Sequence, residues 1–204
     1  QGWKMLMGCL AAGRGISLPA SATAGAKMAA RLSGAYAAVR KQFGIEIGKF
    51  EGIEEAMARV GGKAYILEAA RRVTCGGLDG GAKPAVVTAM AKYSFTELAR
   101  QCVTDTMDVL GGKAISMGPR NPIAHAYMAM PISITVEGAN ILTRTLIVFG
   151  QGAIRCHPYA WEEVQAVEAG DAVRFDAAFF GHVGHVVRNA SRSVVLSLTR
   201  GALG

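Results

Sequence analysis

Few side chains in this sequence pair a reactive type with a suggestive position. Glu137 stands directly before Gly138, at the end of a stretch, 113–136, interrupted by Pro119, Pro122 and Pro131. An acidic residue suits the first turn of a helix, where the backbone carries partial positive charge. Shielded from water, the same carboxylate would become a stronger base, because desolvation disfavours its ionised form. Arg40 and Lys41 complement the C-terminal end of a preceding helix, and Gly111 with Gly112 ends another. His182 and His185 lie three apart on a segment that reads as helical, a spacing that puts two metal ligands on one face. No cluster of Cys, Asp or Glu accompanies them in sequence, so packing or surface roles are the reading and no metal site is assigned. Cys9, Cys75, Cys102 and Cys156 show no CxxC spacing and read as reduced thiols rather than a disulfide framework.

The elements that must position these groups are helical. Ala-rich segments at helical spacing dominate, and no alternating run of convincing length reads as a strand. A first helix begins near Pro19, buries Met28, Leu32, Tyr36 and Val39, and ends at Gly44 with Arg40 and Lys41 in its last turn. A second carries Ile53, Met57, Val60, Ala64 and Leu67 as a stripe, with Gly61 and Gly62 allowing close helix contact. CGGLDGGAKP reads as a loop, and a third helix runs from Pro84 to about Leu110. Its apolar face holds Phe95, Leu98, Cys102 and Val109, with Lys92, Glu97 and Arg100 placed mainly elsewhere. Residues 113–136 read as an irregular functional loop. A fourth helix starts just after Glu137, buries Ile141, Leu142, Leu146 and Phe149, and ends before Pro158. The fold class is all-α, an antiparallel four-helix bundle over 1–157. Residues 158–204 begin a helical extension in which Phe175, Phe179, His182 and Val186 share one side.

Composition bounds the partners. A hydrophobic share of 51% with 18% charged residues, and a mean hydropathy of +0.27, predict apolar surface that meets another domain or subunit. The longest uncharged stretch is broken by Pro122 and Pro131 and falls short of a membrane span, and the N-terminus lacks the pattern of a secretory signal. It reads as an internal cut, and the localisation expected is cytoplasmic, with a peripheral position at the inner membrane left open. The net charge of +7 suits an anionic ligand such as CoA, a flavin pyrophosphate, nucleic acid or a lipid surface without choosing among them. A basic helical module for nucleic acid or an anionic membrane is the rival reading. The basic residues form no single stripe and no recognised nucleic-acid motif is present, so no nucleic-acid partner is expected.

LAAGR (10–14), RKQFG (40–44), DVLGG (108–112) and VEG (136–138) occur in that order among the long helices. The chain resembles, up to about His157, the C-terminal helical domain of FAD-dependent acyl-CoA dehydrogenases. The remainder is similar to the start of the extra C-terminal region of large bacterial fatty-acid-degrading members. The resemblance implies part of an enzyme of fatty acid β-oxidation that forms trans-2-enoyl-CoA from acyl-CoA. Glu137 matches the base that takes the α-proton while a hydride leaves the β-carbon for the flavin. Its backbone N–H, with a flavin ribityl hydroxyl, is implied to polarise the thioester.

The same resemblance implies further site residues. Gly138 leaves backbone open to the substrate, and Arg14 helps hold its CoA arm. For FAD it implies Arg40 at the pyrophosphate, often across a subunit interface, and Phe43 beside the cofactor. Asp108, Leu110, Gly111 and Gly112 then lie toward the adenine side, and Asn140 makes a flavin contact. Ala11 replaces the usual Asp, Glu51 and Asp108 stand where Gln is common, and Ala139-Asn140 replaces Thr-Ser. The two acidic replacements imply a position facing adenine or ribose rather than phosphate. N-terminal and middle domains of the same chain, an electron-accepting flavoprotein and a homo-oligomer are the implied partners. The shielded Glu137 is expected on the same side of the bundle as the helix ends bearing Arg40 and Gly112.

Overall fold

The computed structural model describes residues 5, 13–82, 85–145, 152 and 154–202. Expectations for Trp3, Cys9, Leu10, Ala11, Pro84, Leu146 and Phe149 lie outside the described residues. The chain divides into two units, 1–148 and 149–204.

In the first unit four helices pack together: α1 (Ser17–Val39), α2 (Glu51–Asp79), α3 (Ala85–Leu110) and α4 (Pro122–Thr135). Short connections reverse the chain between them, so α1 and α3 run parallel to each other and antiparallel to α2 and α4. The core is rich in alanine. Ala22, Ala26 and Ala29 of α1 meet Val60, Ala64 and Leu67 of α2 and Ala91, Phe95, Ala99 and Cys102 of α3. Small side chains let helix backbones approach closely, and the larger Leu67 and Phe95 fill the remaining space.

That packing changes the expected face of α1. Met28 and Val39 are exposed, Leu32 and Tyr36 sit at the edge of the core, and the fully buried stripe is Ala22, Ala26, Ala29, Ser33 and Ala37. The helix also ends five residues early, at Val39. Arg40 is extended, and Lys41–Gln42 pairs antiparallel with Ile45–Glu46. The two-residue loop Phe43-Gly44 has both φ angles positive, at 49° and 85°, the geometry that matches the twist of a tight hairpin. Lys41 and Lys49 both pair with Glu46 and hold its carboxyl down at about 2, the Lys49 hydrogen bond being the largest cause.

The α2 stripe stands as expected, with Val60, Ala64 and Leu67 buried, but Gly61 and Gly62 are exposed and nothing lies near them. The helix continues through Gly76 and Gly77 to Asp79, so only the end of the glycine segment is a loop. The stretch 113–136 contains α4. Asn121 caps it by accepting from the Ala124 N–H, Pro122 occupies the first turn, and Pro131 is carried inside the helix. After Glu137 the described chain makes only the helical turn Asn140–Leu142 and a wider turn through Arg144 and Thr145. Ile141 and Leu142 are exposed there, while Asn140 and Thr143 are buried, the reverse of the expected pattern. A polar network, described below, claims the inward face.

The second unit is a helical hairpin of α5 (Ala160–Ala169) and α6 (Ala172–Leu198). Gly170, with φ of 66°, ends the first helix and Asp171 caps the second by accepting from the Arg174 N–H. Ala166 and Ala178 are buried, whereas Phe179 and Val186 are exposed. The ring of Tyr159 lies against Gly181, where a Cβ would fall 2.5 Å from it. His157 packs against His182 and His185, with ring centroids 4.2 and 5.1 Å away. His182 Nδ1 meets Glu163 Oε1 at 2.8 Å, and His157 Nδ1 accepts from the N–H groups of Tyr159 and Ala160. Among the described residues no helix is long and apolar enough to cross a membrane.

Candidate functional site

Two regions of the bundle hold the residues singled out in the sequence. The first surrounds Glu137. Its φ is 55° and that of Gly138 is 93°, so two consecutive residues adopt the left-handed conformation. For the glutamate this costs about 1–2 kcal/mol, which surrounding contacts must offset. Ser17 Oγ, in the first turn of α1, donates to Glu137 Oε1 at 2.9 Å. The other oxygen, Oε2, is buried with no hydrogen-bond partner among the described residues, and so is Arg14 Nε. A carboxylate oxygen kept from water and left without a donor is free to take a proton.

The turn is fixed from beneath by α3. Lys92 is 0% exposed, although a lysine at that position reads from sequence as a solvent-side residue. Its ammonium donates to the Gly138 carbonyl at 2.8 Å and to Asn140 Oδ1 at 2.6 Å. Thr143 Oγ1 donates to the same carbonyl at 3.1 Å. Asn140 Nδ2 donates in turn to Thr96 Oγ1 and Glu97 Oε1, both at 2.9 Å. Burial, with the Arg14 charge nearby, holds the Lys92 ammonium below the ordinary lysine range, against the attraction of Glu137 and Glu97.

Three of the residues named as site candidates make contacts within the chain here. Asn140 spends its side chain on Lys92, Thr96 and Glu97. Arg14 is 5% exposed and lies against the turn. The space beside Gly138 is taken by this chain: a Cβ there would stand 3.3 Å from Thr143 Oγ1 and 3.8 Å from Arg14 Nη2. The glycine is needed for its φ and for that close fit.

The second region is a groove of about 560 Å³ whose lining includes Arg40, Asp108, Leu110, Gly111 and Gly112, together with Tyr36 and Phe50. Five of the residues read from sequence as cofactor contacts thus converge. The hairpin after α1 and the end of α3 bring them together, because α1 and α3 are parallel. Gly111 has φ of 56°, and nothing lies within 4 Å of where its Cβ would be. Among the described residues no carboxylate pairs with Arg40. Phe43 is outside the lining: it is 94% exposed at the hairpin tip, edge-on to Phe50 at 6.3 Å. Tyr36 and Phe50 are the aromatic residues in the described lining of the groove.

The two regions lie at opposite ends of α3. Lys92 and Leu110 are separated by eighteen residues of that helix, roughly 27 Å at the helical rise. Glu137, half-buried with its Oε2 kept from water, therefore lies at the end of the bundle away from Arg40 and Gly112.

The family model described as "Acyl-CoA dehydrogenase, C-terminal domain" matches residues 1–150, and "Acyl-CoA dehydrogenase, C-terminal, bacterial type" matches residues 154–204. Butyryl-CoA dehydrogenase of Megasphaera elsdenii is 26% identical over 74% of this chain and 39% of its own, with a TM-score of 0.66. A glutaryl-CoA dehydrogenase in its glutaryl-CoA complex is 26% identical over 74% of this chain and 38% of its own, with a TM-score of 0.64. An acyl-CoA dehydrogenase of Geobacillus kaustophilus, 22% identical over 73% of this chain and 38% of its own, shares the fold with a TM-score of 0.68. The chain thus spans under two-fifths of these solved structures. A further match, 57% identity to HemX of Proteus mirabilis, covers only 35 residues. The chain belongs to the acyl-CoA dehydrogenase family, of which it is C-terminal-domain sequence.

Proposed function

We propose that this chain is the C-terminal part of an FAD-dependent acyl-CoA dehydrogenase and that Glu137 is the base removing the α-proton of a fatty acyl-CoA. The observation that carries the reading is the Glu137 carboxylate, anchored through Oε1 by Ser17 while Oε2 is buried with no partner among the described residues. The chain supplies a proton acceptor held in place before substrate arrives, with little reorganisation left to pay for at the moment of transfer. The α-proton passes to Oε2, the C–H electrons form the new α,β double bond, and the β-hydrogen departs as hydride. The chemistry FAD supplies when bound is acceptance of that hydride.

The groove fits a phosphate-bearing cofactor. Arg40 offers a planar cationic fork that pairs with no carboxylate among the described residues, and Gly111 and Gly112 leave backbone uncovered by side chains. Asp108, which only accepts hydrogen bonds when ionised, suits hydroxyl or amino groups of the adenosine end better than phosphate. Because the groove and Glu137 are roughly 27 Å apart along α3, we assign them to different active sites of a homo-oligomer. Each copy gives its base to one site and its groove to the cofactor of a second copy. The remaining substrate and flavin contacts fall to N-terminal and middle domains, so the isolated 204 residues should show little activity. An electron-accepting flavoprotein would reoxidise the cofactor.

Glu137→Gln in the full-length enzyme tests the assignment. Acyl-CoA oxidation should fall roughly 10²–10⁴-fold while FAD content stays at the wild-type level. Turnover near wild type would remove Glu137 from its role.

A further inference from the structure

The buried ammonium of Lys92 has no part in the proton transfer just described, yet it touches the turn that carries the base. We infer that Lys92 is a positioning residue for Glu137, locking the left-handed Glu137-Gly138 turn and supplying a fixed positive charge behind the carboxylate. The inference rests on the assignment of Glu137 as base and adds a second residue to that site.

Three observations support it. Lys92 is fully buried, and a buried lysine is retained as an ammonium only where acceptors and opposite charge compensate its lost hydration. Its two acceptors, the Gly138 carbonyl and Asn140 Oδ1, both belong to the short segment after Glu137, 46 and 48 residues away in sequence. One bond would tether the loop, whereas two on either side of Ala139 fix the orientation of the peptide that follows the base. The surrounding groups are arranged around these two bonds. Thr143 shares the carbonyl, and Thr96 and Glu97 hold the Asn140 amide so that its oxygen faces Lys92. The charges facing the ammonium are Glu137 and Glu97, which favour it, and Arg14, which opposes it.

A fixed cation behind a carboxylate stabilises the ionised base. Removing it should move the acid limb of the rate profile to higher pH, which loosened packing alone would not do. The test compares Lys92→Met with Glu137→Gln in the full-length, flavin-loaded enzyme, measuring kcat, KM, flavin content and the pH dependence of kcat. Lys92→Met should lower kcat at least tenfold, leave KM for acyl-CoA and flavin content within about threefold, and shift the acid limb upward. An unmoved acid limb with kcat near wild type would overturn the inference. If Lys92→Met fails to accumulate, Lys92→Gln keeps a donor for the Gly138 carbonyl but loses the charge. The same upward shift is expected there, and its absence counts equally against Lys92. Full activity in Glu137→Gln would instead refute the base assignment itself, so the two failures are distinguishable.

Discussion

The surroundings of Glu137 and the groove beneath Arg40 are built on opposite principles. Around Glu137 most polar atoms are spent on the chain itself: Lys92, Asn140, Thr96 and Thr143 form one network and Ser17 holds Glu137 Oε1, which leaves Glu137 Oε2 and Arg14 Nε without partners among the described residues. In the groove the exposed Arg40, Asp108 and the Gly111-Gly112 backbone have bonding capacity left over. A group that moves a proton gains from being fixed before substrate arrives, and a surface that receives a large anion gains from leaving donors unspent. Preorganisation and receptivity are thus divided between the two ends of one bundle.

Substitutions should separate the two ends. Gly138→Ala should have the largest effect, since it combines a strained φ of 93° with a Cβ pressed to 3.3 Å from Thr143. We expect about 2–3 kcal/mol of lost stability, read as a drop in Tm, together with loss of turnover. Arg40→Ala should leave Tm almost unchanged but weaken FAD retention about tenfold, which flavin absorbance after gel filtration would show. Gly111→Ala has comparable backbone strain at φ of 56° but open space around the new methyl, so it should cost only about 1 kcal/mol. If Gly111→Ala proved as damaging as Gly138→Ala, the contrast between a closed and an open end would fail.

The smallest effect concerns the second unit. Burial, then the neighbouring His182 and His185, holds the His157 imidazole below its ordinary 6.5, against the pull of Glu163. A histidine depressed in the folded state contributes stability in full above the ordinary value, and that contribution is lost as pH falls through the lowered one. The protection of α5 amides in the full-length protein, measured relative to their intrinsic exchange rate at each pH, should therefore fall modestly between pH 7 and pH 5. His157→Gln should flatten that dependence.

Much of the bundle was readable in the residues. The stripe of Val60, Ala64 and Leu67 and the buried Phe95, Cys102 and Val109 follow from helical periodicity, and the convergence of Arg40 with Gly111 and Gly112 was implied by the family resemblance. What escaped has specific causes. Hydropathy ranks Met28 and Val39 above alanine, whereas close helix contact selects Ala22, Ala26 and Ala29 for the inside. Prolines 119, 122 and 131 suggest a broken stretch, but Asn121 and Pro122 together start α4. Lys92 reads as solvent-side because its acceptors are 46 and 48 residues away, beyond anything local periodicity reports. Cys102 escaped only in degree: its thiol is pushed up to about 11 by burial, so a thiol reagent should modify exposed Cys156 first.

The parallel course of α1 and α3 has a genetic consequence. If each catalytic centre takes its carboxylate from one copy and its arginine fork from another, two crippled alleles can complement each other. Coexpressed Glu137→Gln and Arg40→Ala copies would assemble mixed pairs in which one centre carries both lesions and the other carries neither. Such a mixture would recover turnover that neither allele shows alone.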